Sequence, residues 1–174
     1  MVFLLLLQSL YFFLPAYFAN MSPVLLRFLP GGIPIHERWF GPNKTWRGLI
    51  VAPLVAGLIF FLQKLLYNTG YNVFTQLAII DYADFSLALG FLQGAGAILG
   101  DLVKSYYKRK EGLKPSQRWL PWDQLDFMLG GIVGSFFVYV PPVEVVVMLL
   151  VVSPFLHIAV NHLGYWLKIR EKAW

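Results

Sequence analysis

Five long apolar stretches, separated by short polar or proline-containing segments, set the pattern of this chain: residues 2–18, 48–67, 85–106, 122–140 and 143–167. Each is close to the ~17–25 residues that carry a helix across a bilayer. The fourth is the least uniform. Only 127–140 is cleanly apolar, so its first turn must hold Asp123 and Asp126 at the interface. The first stretch has neither a basic n-region nor a small-residue cleavage site, so it is expected to be retained rather than removed as a signal peptide. The pattern predicts an all-α integral membrane protein of five transmembrane helices, forming one membrane-embedded domain over residues 1–174.

Composition agrees: 58% of the 174 residues are hydrophobic and 13% charged, against about 25% charged in an average soluble domain. With no cysteine, disulfides and thiolate metal sites are excluded. The net charge of +5 is concentrated in a few segments. Arg27, Arg38, Lys44 and Arg47 lie between the first two stretches. Residues 68–84 hold no base, only Asp81 and Asp84. Lys104, Lys108, Arg109, Lys110, Lys114 and Arg118 follow the third stretch, residues 141–142 are an uncharged Pro-Pro turn, and the tail carries Lys168, Arg170 and Lys172. All of the 14 basic residues except Lys64 therefore fall on one side, which the positive-inside rule assigns to the cytoplasm. Lys64 sits near the outer end of the second stretch, where its stem can snorkel. Five spans with the tail inside place the N-terminus outside, in a multi-pass cell-membrane protein whose polar site faces the cytoplasm.

Carboxylates in membrane helices are costly and usually mark a function. Asp101 lies near the inner end of the third stretch; Asp123 and Asp126 stand at the mouth of the fourth; the basic loop 104–121 joins them. On a helix Asp101, Lys104, Ser105 and Lys108 follow i, i+3, i+4, i+7 and share a face, as do Asp123 and Asp126. The pairs Gly90/Gly94, Gly96/Gly100 and Gly130/Gly134 have the small-xxx-small spacing that lets helix backbones come close. Three acids beside a run of bases suit a Mg²⁺ held by carboxylates and phosphate oxygens. The structural alternatives are a favourable charge at a helix N-terminus for Asp123 and Asp126, pairing with Lys104 or Lys108 for Asp101, and attraction to anionic lipid for the basic run.

The octet GPNKTWRG, residues 41–48, precedes the second stretch. Gly41 and Pro42 break a helix, Asn43 or Thr45 can cap the next one, and a helix N-terminus flanked by Lys44 and Arg47 is suited to an anion. Trp46 can stack on a base or sit in the interfacial aromatic belt. The fifth stretch carries a polar stripe, Ser153, His157, Asn161 and Gly164, for which interhelical hydrogen bonding is favoured over contact with a ligand's head group. A competing function is a small membrane transporter or ion carrier using the carboxylate cluster. Transporters place such acids near mid-bilayer, often with internal repeats, whereas here the acids gather at one end and no repeat is found.

These motifs resemble the CDP-diacylglycerol synthases (phosphatidate cytidylyltransferases). The octet is similar to their P-K-K-T-W-E-G signature. The second segment is similar to their C-terminal signature: Gln93, Gly100-Asp101, Ser105, Lys108-Arg109, Lys114, Leu120-Pro121, then Asp123 and Asp126. Pro115 stands where that signature has Asp, Gln124 where Arg is usual, and a His-Gly-Gly is missing. With five short spans, N-K-T-W-R-G and P-W-D-Q-L-D-F, the chain looks most like the archaeal branch of the family, the CDP-archaeol synthases, over residues 36 to the end. The resemblance implies transfer of CMP from CTP to an ether-lipid phosphate, 2,3-di-O-geranylgeranylglyceryl 1-phosphate, with release of pyrophosphate in phospholipid biosynthesis. It assigns Asp101, Asp123 and Asp126 to Mg²⁺; Asn43, Lys44, Thr45 and Arg47 to CTP; and Lys104, Lys108, Arg109 and Lys114 to phosphates, with Ser105 able to hydrogen-bond one. The implied partners are CTP, the phosphorylated ether lipid and the membrane, without nucleic acid; a homodimer is compatible with the pattern. The attacking phosphate oxygen is already ionised, so no general base is required, and His36 is the one histidine expected on the cytoplasmic side.

Overall fold

The computed structural model describes residues 2–115 and 117–168; Arg170 and Lys172 of the basic tail lie outside the described residues. Among these, the elements are α1 (Val2–Phe12), α2 (Leu14–Leu25), α3 (Glu37–Phe40), α4 (Trp46–Asn68), α5 (Asn72–Leu77), α6 (Ala88–Lys110), α7 (Trp122–Ser135) and α8 (Val143–Trp166). The all-α class holds: the single β feature among the described residues is an isolated bridge between Pro34 and Thr45.

Local chemistry explains where the helices depart from the five stretches. The first stretch is not one helix ending at 18. It is a pair, α1 and α2, bent by 49° at Phe13 and reaching Leu25. Pro15 stands in the first turn of α2, where its missing N–H is tolerated but where it cannot continue the preceding helix. Thr45 is the cap of α4: its hydroxyl accepts a hydrogen bond from the Gly48 amide at 3.2 Å. The third helix runs one turn further than the apolar stretch. Lys108, Arg109 and Lys110 thus occupy its last turn, where cations complement the helix dipole. The fourth stops at Ser135, five residues early: residues 136–138 form a turn and 139–140 lead without helix into Pro141 and Pro142, the residue before a proline being disfavoured in α conformation.

Among the described residues two helices, α4 and α8, are long and apolar enough to cross a membrane, and the bent α1–α2 pair makes a third if it is one span. The 14 residues of α7 reach only about 21 Å at 1.5 Å per residue, short of a ~30 Å hydrocarbon core. On α4, Ile50, Leu54 and Leu58 point outward and are more than half exposed, as are Val143, Val147, Val151 and Phe155 on α8. Apolar rows of this size facing outward mark a lipid-facing surface. The interior is built from small and aromatic side chains, including Phe12, Phe13, Ala16, Ala52, Ala56, Phe60, Tyr82 and Phe127.

The glycine pairs serve two different interfaces. Gly90 and Gly94 turn to α4, where an added Cβ would strike Phe60 and Ala56. Gly96 and Gly100 meet α7: a Cβ on Gly96 would run into the Gly130 carbonyl oxygen, one on Gly100 into the Asp126 carbonyl oxygen, and one on Gly134 into the Leu92 carbonyl oxygen. Backbone thus packs directly on backbone along one face of α7, from Asp126 to Gly134. Lys64, the base set apart from the others, donates to the carbonyls of Ala83 (2.8 Å) and Phe85 (3.0 Å), tying α4 to the start of α6.

Because a carbonyl oxygen cannot move aside as a side chain can, Gly96→Leu is expected to destabilise the protein by about 1–3 kcal/mol or more. Leu99→Ala, on the half-exposed outward face of α6, should change stability by no more than about 0.5 kcal/mol. Thermal unfolding of the two variants in detergent, followed by circular dichroism, checks the difference.

Candidate active site

Three elements deliver charge to one point. Asp101, Lys104 and Lys108 project from one face of α6, Asp123 and Asp126 from the first turns of α7, and Lys44 from the loop that precedes α4. The Lys104 ammonium lies 3.2 Å from Asp101 Oδ1, 3.1 Å from Asp123 Oδ1 and 2.9 Å from Asp126 Oδ2. Lys44 pairs with the other oxygen of Asp101. Lys108 reaches both oxygens of Asp123, at 2.8 and 2.9 Å. Backbone amides complete the set: Trp119 N–H donates to Asp123 Oδ2 and Phe127 N–H to Asp126 Oδ1, each at 2.6 Å. The cluster is mostly enclosed, with the Asp126 side chain 5% and that of Lys108 8% exposed. Three carboxylates face three ammoniums, so the charges balance.

Both pairings expected as structural alternatives, Asp101 with Lys104 and an acid at the start of α7, are therefore present. Among the described residues no group of three or more acidic or histidine side chains stands ready for a metal ion; the convergent position between the acids is filled by Lys104. In donor chemistry and charge the acids nonetheless fit a hard divalent cation, which takes oxygen ligands. The point they share already holds a positive charge.

The cluster forms one end of a cavity of about 770 Å³. Asn43, Lys44, Thr45, Arg47, Asp101, Lys104, Lys108, Asp123 and Asp126 line it, together with Arg27, Gln117, Arg118 and Gln124. Apolar side chains line it too: Met21, Val24 and Leu25 of α2, Ile98 of α6, Val160 and Leu163 of α8, and Leu167 just beyond it. Not every expected residue reaches this space. Ser105 is buried, on the same helix, and does not line the cavity; neither do Arg109, packed beside Gly41, and Lys114, whose amide binds the Gln117 side chain. Arg47 lines the cavity while its Nη1 donates to the carbonyls of Arg27 and Leu29, both at 2.6 Å, and it packs against Gly31 and Gly32. It fastens the 27–32 loop.

The polar stripe of α8 divides. Ser153 shares a hydrogen bond with the Tyr17 hydroxyl of α2, the interhelical role expected for it. His157, Asn161 and Gly164 line the cavity, with Asn161 Nδ2 and His157 Nε2 3.5 Å apart. His36, in contrast, caps α3 through Nδ1 and stacks on Trp39. Gln124 was legible only as a departure from a signature. In the structure it is buried at the site, with its carbonyl oxygen lacking a hydrogen-bond partner.

Comparison with known proteins places this arrangement. The family model described as CarS-like CDP-archaeol synthase matches residues 1–174. The CDP-archaeol synthase of Pyrococcus furiosus is 35% identical over 178 residues, covering 97% of this chain and 98% of its own. That of Methanocaldococcus jannaschii is 30% identical over 182 residues, covering both chains completely. A solved structure, described as an intramembrane enzyme for archaeal membrane lipids biosynthesis, superposes with a TM-score of 0.65 at 26% identity, covering 88% of this chain and 92% of that one. A full-length family match and relatives aligned end to end, over a charged cluster built from the very motifs that carry the resemblance, lead to one conclusion: the chain belongs to the CDP-archaeol synthase family and is an enzyme of the CTP-dependent cytidylyltransferase class.

Proposed function

We propose that the chain transfers CMP from CTP to the phosphate of an ether lipid, 2,3-di-O-geranylgeranylglyceryl 1-phosphate, giving CDP-archaeol and pyrophosphate. The observation that carries this reading is the mixed lining of the cavity. It gathers lysines and aspartates, suited to phosphates, together with apolar side chains of α2, α6 and α8, suited to isoprenoid chains. An oxygen of the lipid phosphate attacks the α-phosphorus of CTP, its bond to pyrophosphate breaks, and no proton has to be removed from the nucleophile. What the step requires is cationic charge, because two polyanions meet and a third departs.

Lys44, Lys104 and Lys108 supply that charge. Asn43 and Thr45, beside Lys44 in the cavity wall, orient the nucleotide, while Arg47 keeps the 27–32 loop in place around it. Asp101, Asp123 and Asp126 would hold Mg²⁺, which when bound neutralises phosphate oxygens and stabilises the departing pyrophosphate. Arg109 and Lys114, outside the cavity in this state, remain within the basic segment that faces anionic phosphates and lipid. The proposed topology has five spans, with α6 and α7 crossing as a glycine-packed pair, the N-terminus outside and the site on the cytoplasmic side, where CTP is found. The charge alternation supports that orientation. A homodimer is compatible with the outward apolar rows.

Asp101→Asn, Asp123→Asn and Asp126→Asn keep the shape of each side chain and remove its charge. Each is expected to lower CMP incorporation into lipid by about 10–100-fold or more while the protein still inserts, read by transfer of label from CTP in detergent. Near-normal turnover in all three would rule out the assignment.

Lys44→Ala should weaken CTP binding, by titration of the nucleotide against purified protein, more than it weakens binding of the lipid phosphate. Equal affinity for CTP in the variant would leave Lys44 as a topology charge and a counter-ion of Asp101, with no part in holding the nucleotide.

For orientation, the absence of native cysteine allows single cysteines without background. One at Asn72 should react with an impermeant thiol reagent in right-side-out vesicles, and one at Gln117 only after the membrane is opened. The reverse pattern would put the acids on the wrong face for CTP.

A further inference from the structure

Lys104 occupies the place where the three acids converge. Its ammonium is within 3.2 Å of one oxygen from each of Asp101, Asp123 and Asp126, and its side chain is 15% exposed. Lys44 and Lys108 bind the remaining oxygens of Asp101 and Asp123. Carboxylates held this close, in a largely enclosed site, repel one another unless a cation lies between them.

We infer that Lys104 is the resident cation of the nucleotide-free site and changes partners when the site loads. The divalent ion takes the place of the ammonium among the three carboxylates, and the ammonium passes to the triphosphate in the same cavity. The inference rests on the metal reading above, and gives Lys104 a role beyond that of a phosphate contact. It positions charge in both states.

The exchange is favoured by the chemistry of the group. A lysine ammonium is a compact point charge on a flexible four-carbon stem, with no fixed fork to hold it to one partner. Its root on α6, one turn beyond Asp101, lets the stem swing without moving the helix. The acids keep a counter-charge throughout: a divalent ion enters as the monovalent ammonium leaves, and the ammonium meets an anion. By linkage, the ion and CTP must each strengthen binding of the other at this site. In the empty state the acids are never left without a counter-charge, so the fold does not depend on metal.

The test uses Mn²⁺ as the probe, titrated against purified full-length protein in detergent and followed by electron paramagnetic resonance. High salt screens distant charges, so that only direct occupancy of the site is read. Without nucleotide, Lys104→Met is expected to bind Mn²⁺ about tenfold more tightly than the parent, and to lose part of the mutual enhancement between Mn²⁺ and CTP. Lys104→Gln, which keeps a donor but no charge, should behave alike. Both variants should melt lower than the parent without divalent ion and recover more than the parent when Mn²⁺ is added.

If Asp101→Asn weakens Mn²⁺ binding but neither Lys104 variant strengthens it, the metal reading stands and the exchange is overturned. If Asp101→Asn leaves Mn²⁺ binding unchanged, the metal reading itself fails. Should the Lys104 variants fold only with Mn²⁺ present, the exchange is supported; should they fail to fold even then, Lys104 is an ion-pair partner that no metal replaces, and the exchange is overturned.

Discussion

The close approach of α6 and α7 governs everything at the polar end of the molecule. Gly100, immediately before Asp101, rests on the carbonyl of Asp126, while Gly96 and Gly130 face each other backbone to backbone one turn deeper. The absence of side chains along that seam is what lets Asp101 on one helix and Asp126 on the next share a single ammonium. Any Cβ there would widen the seam, and the acids would separate. In a membrane, where apolar side chains gain little by leaving lipid, such van der Waals contact between small residues is a principal force holding helices together. The seam is therefore both the fold's joint and the site's ruler.

Charge then does the rest of the construction. Three enclosed carboxylates are tolerable because three lysines arrive from two elements, Lys104 and Lys108 from α6 itself and Lys44 from the loop that ends at Thr45, the cap of α4. The capping bond fixes where α4 begins and hence where Lys44 stands. Arg47, two residues beyond the cap, holds the opposite loop by its backbone. The result is a cavity that combines the charged cluster with apolar side chains of α2 and α8, a lining suited to an amphiphile with a phosphate head. Membership in the CDP-archaeol synthase family accords with such a substrate.

Much of this was legible in the residues, and the exceptions have physical causes. The acids and the lysines stand out because charge is costly in lipid, and the glycine spacing because small residues four apart let helices pack closely. The helical class follows from the length of the apolar stretches. The bend at Phe13 did not stand out, because Pro15 sits in a run whose hydropathy is unbroken. The early end of α7 was hidden for a similar reason: Phe136–Val140 is as apolar as the helix before it. Gly90 and Gly94 share a spacing with Gly96 and Gly100, yet spacing alone does not reveal that they face α4 and not α7. The duty of Arg47 was equally hidden, since its partners are backbone carbonyls of a distant loop. The stripe on α8 was half legible; Ser153 bonds Tyr17 as interhelical packing suggests, whereas His157 and Asn161 turn to the cavity.

Phosphoryl chemistry leaves a signature that binding alone does not, and it bears most directly on what the cluster is for. Purified protein given Mg²⁺, the ether-lipid phosphate and CTP labelled separately at its α- and γ-phosphates should place the α label in the lipid product. The γ label should appear in pyrophosphate, in equal amount. A γ label in the lipid would make the protein a kinase, and γ label in free phosphate with none in the lipid would make it a nucleotide hydrolase; either result contradicts a cytidylyl transfer at Asp101, Asp123 and Asp126.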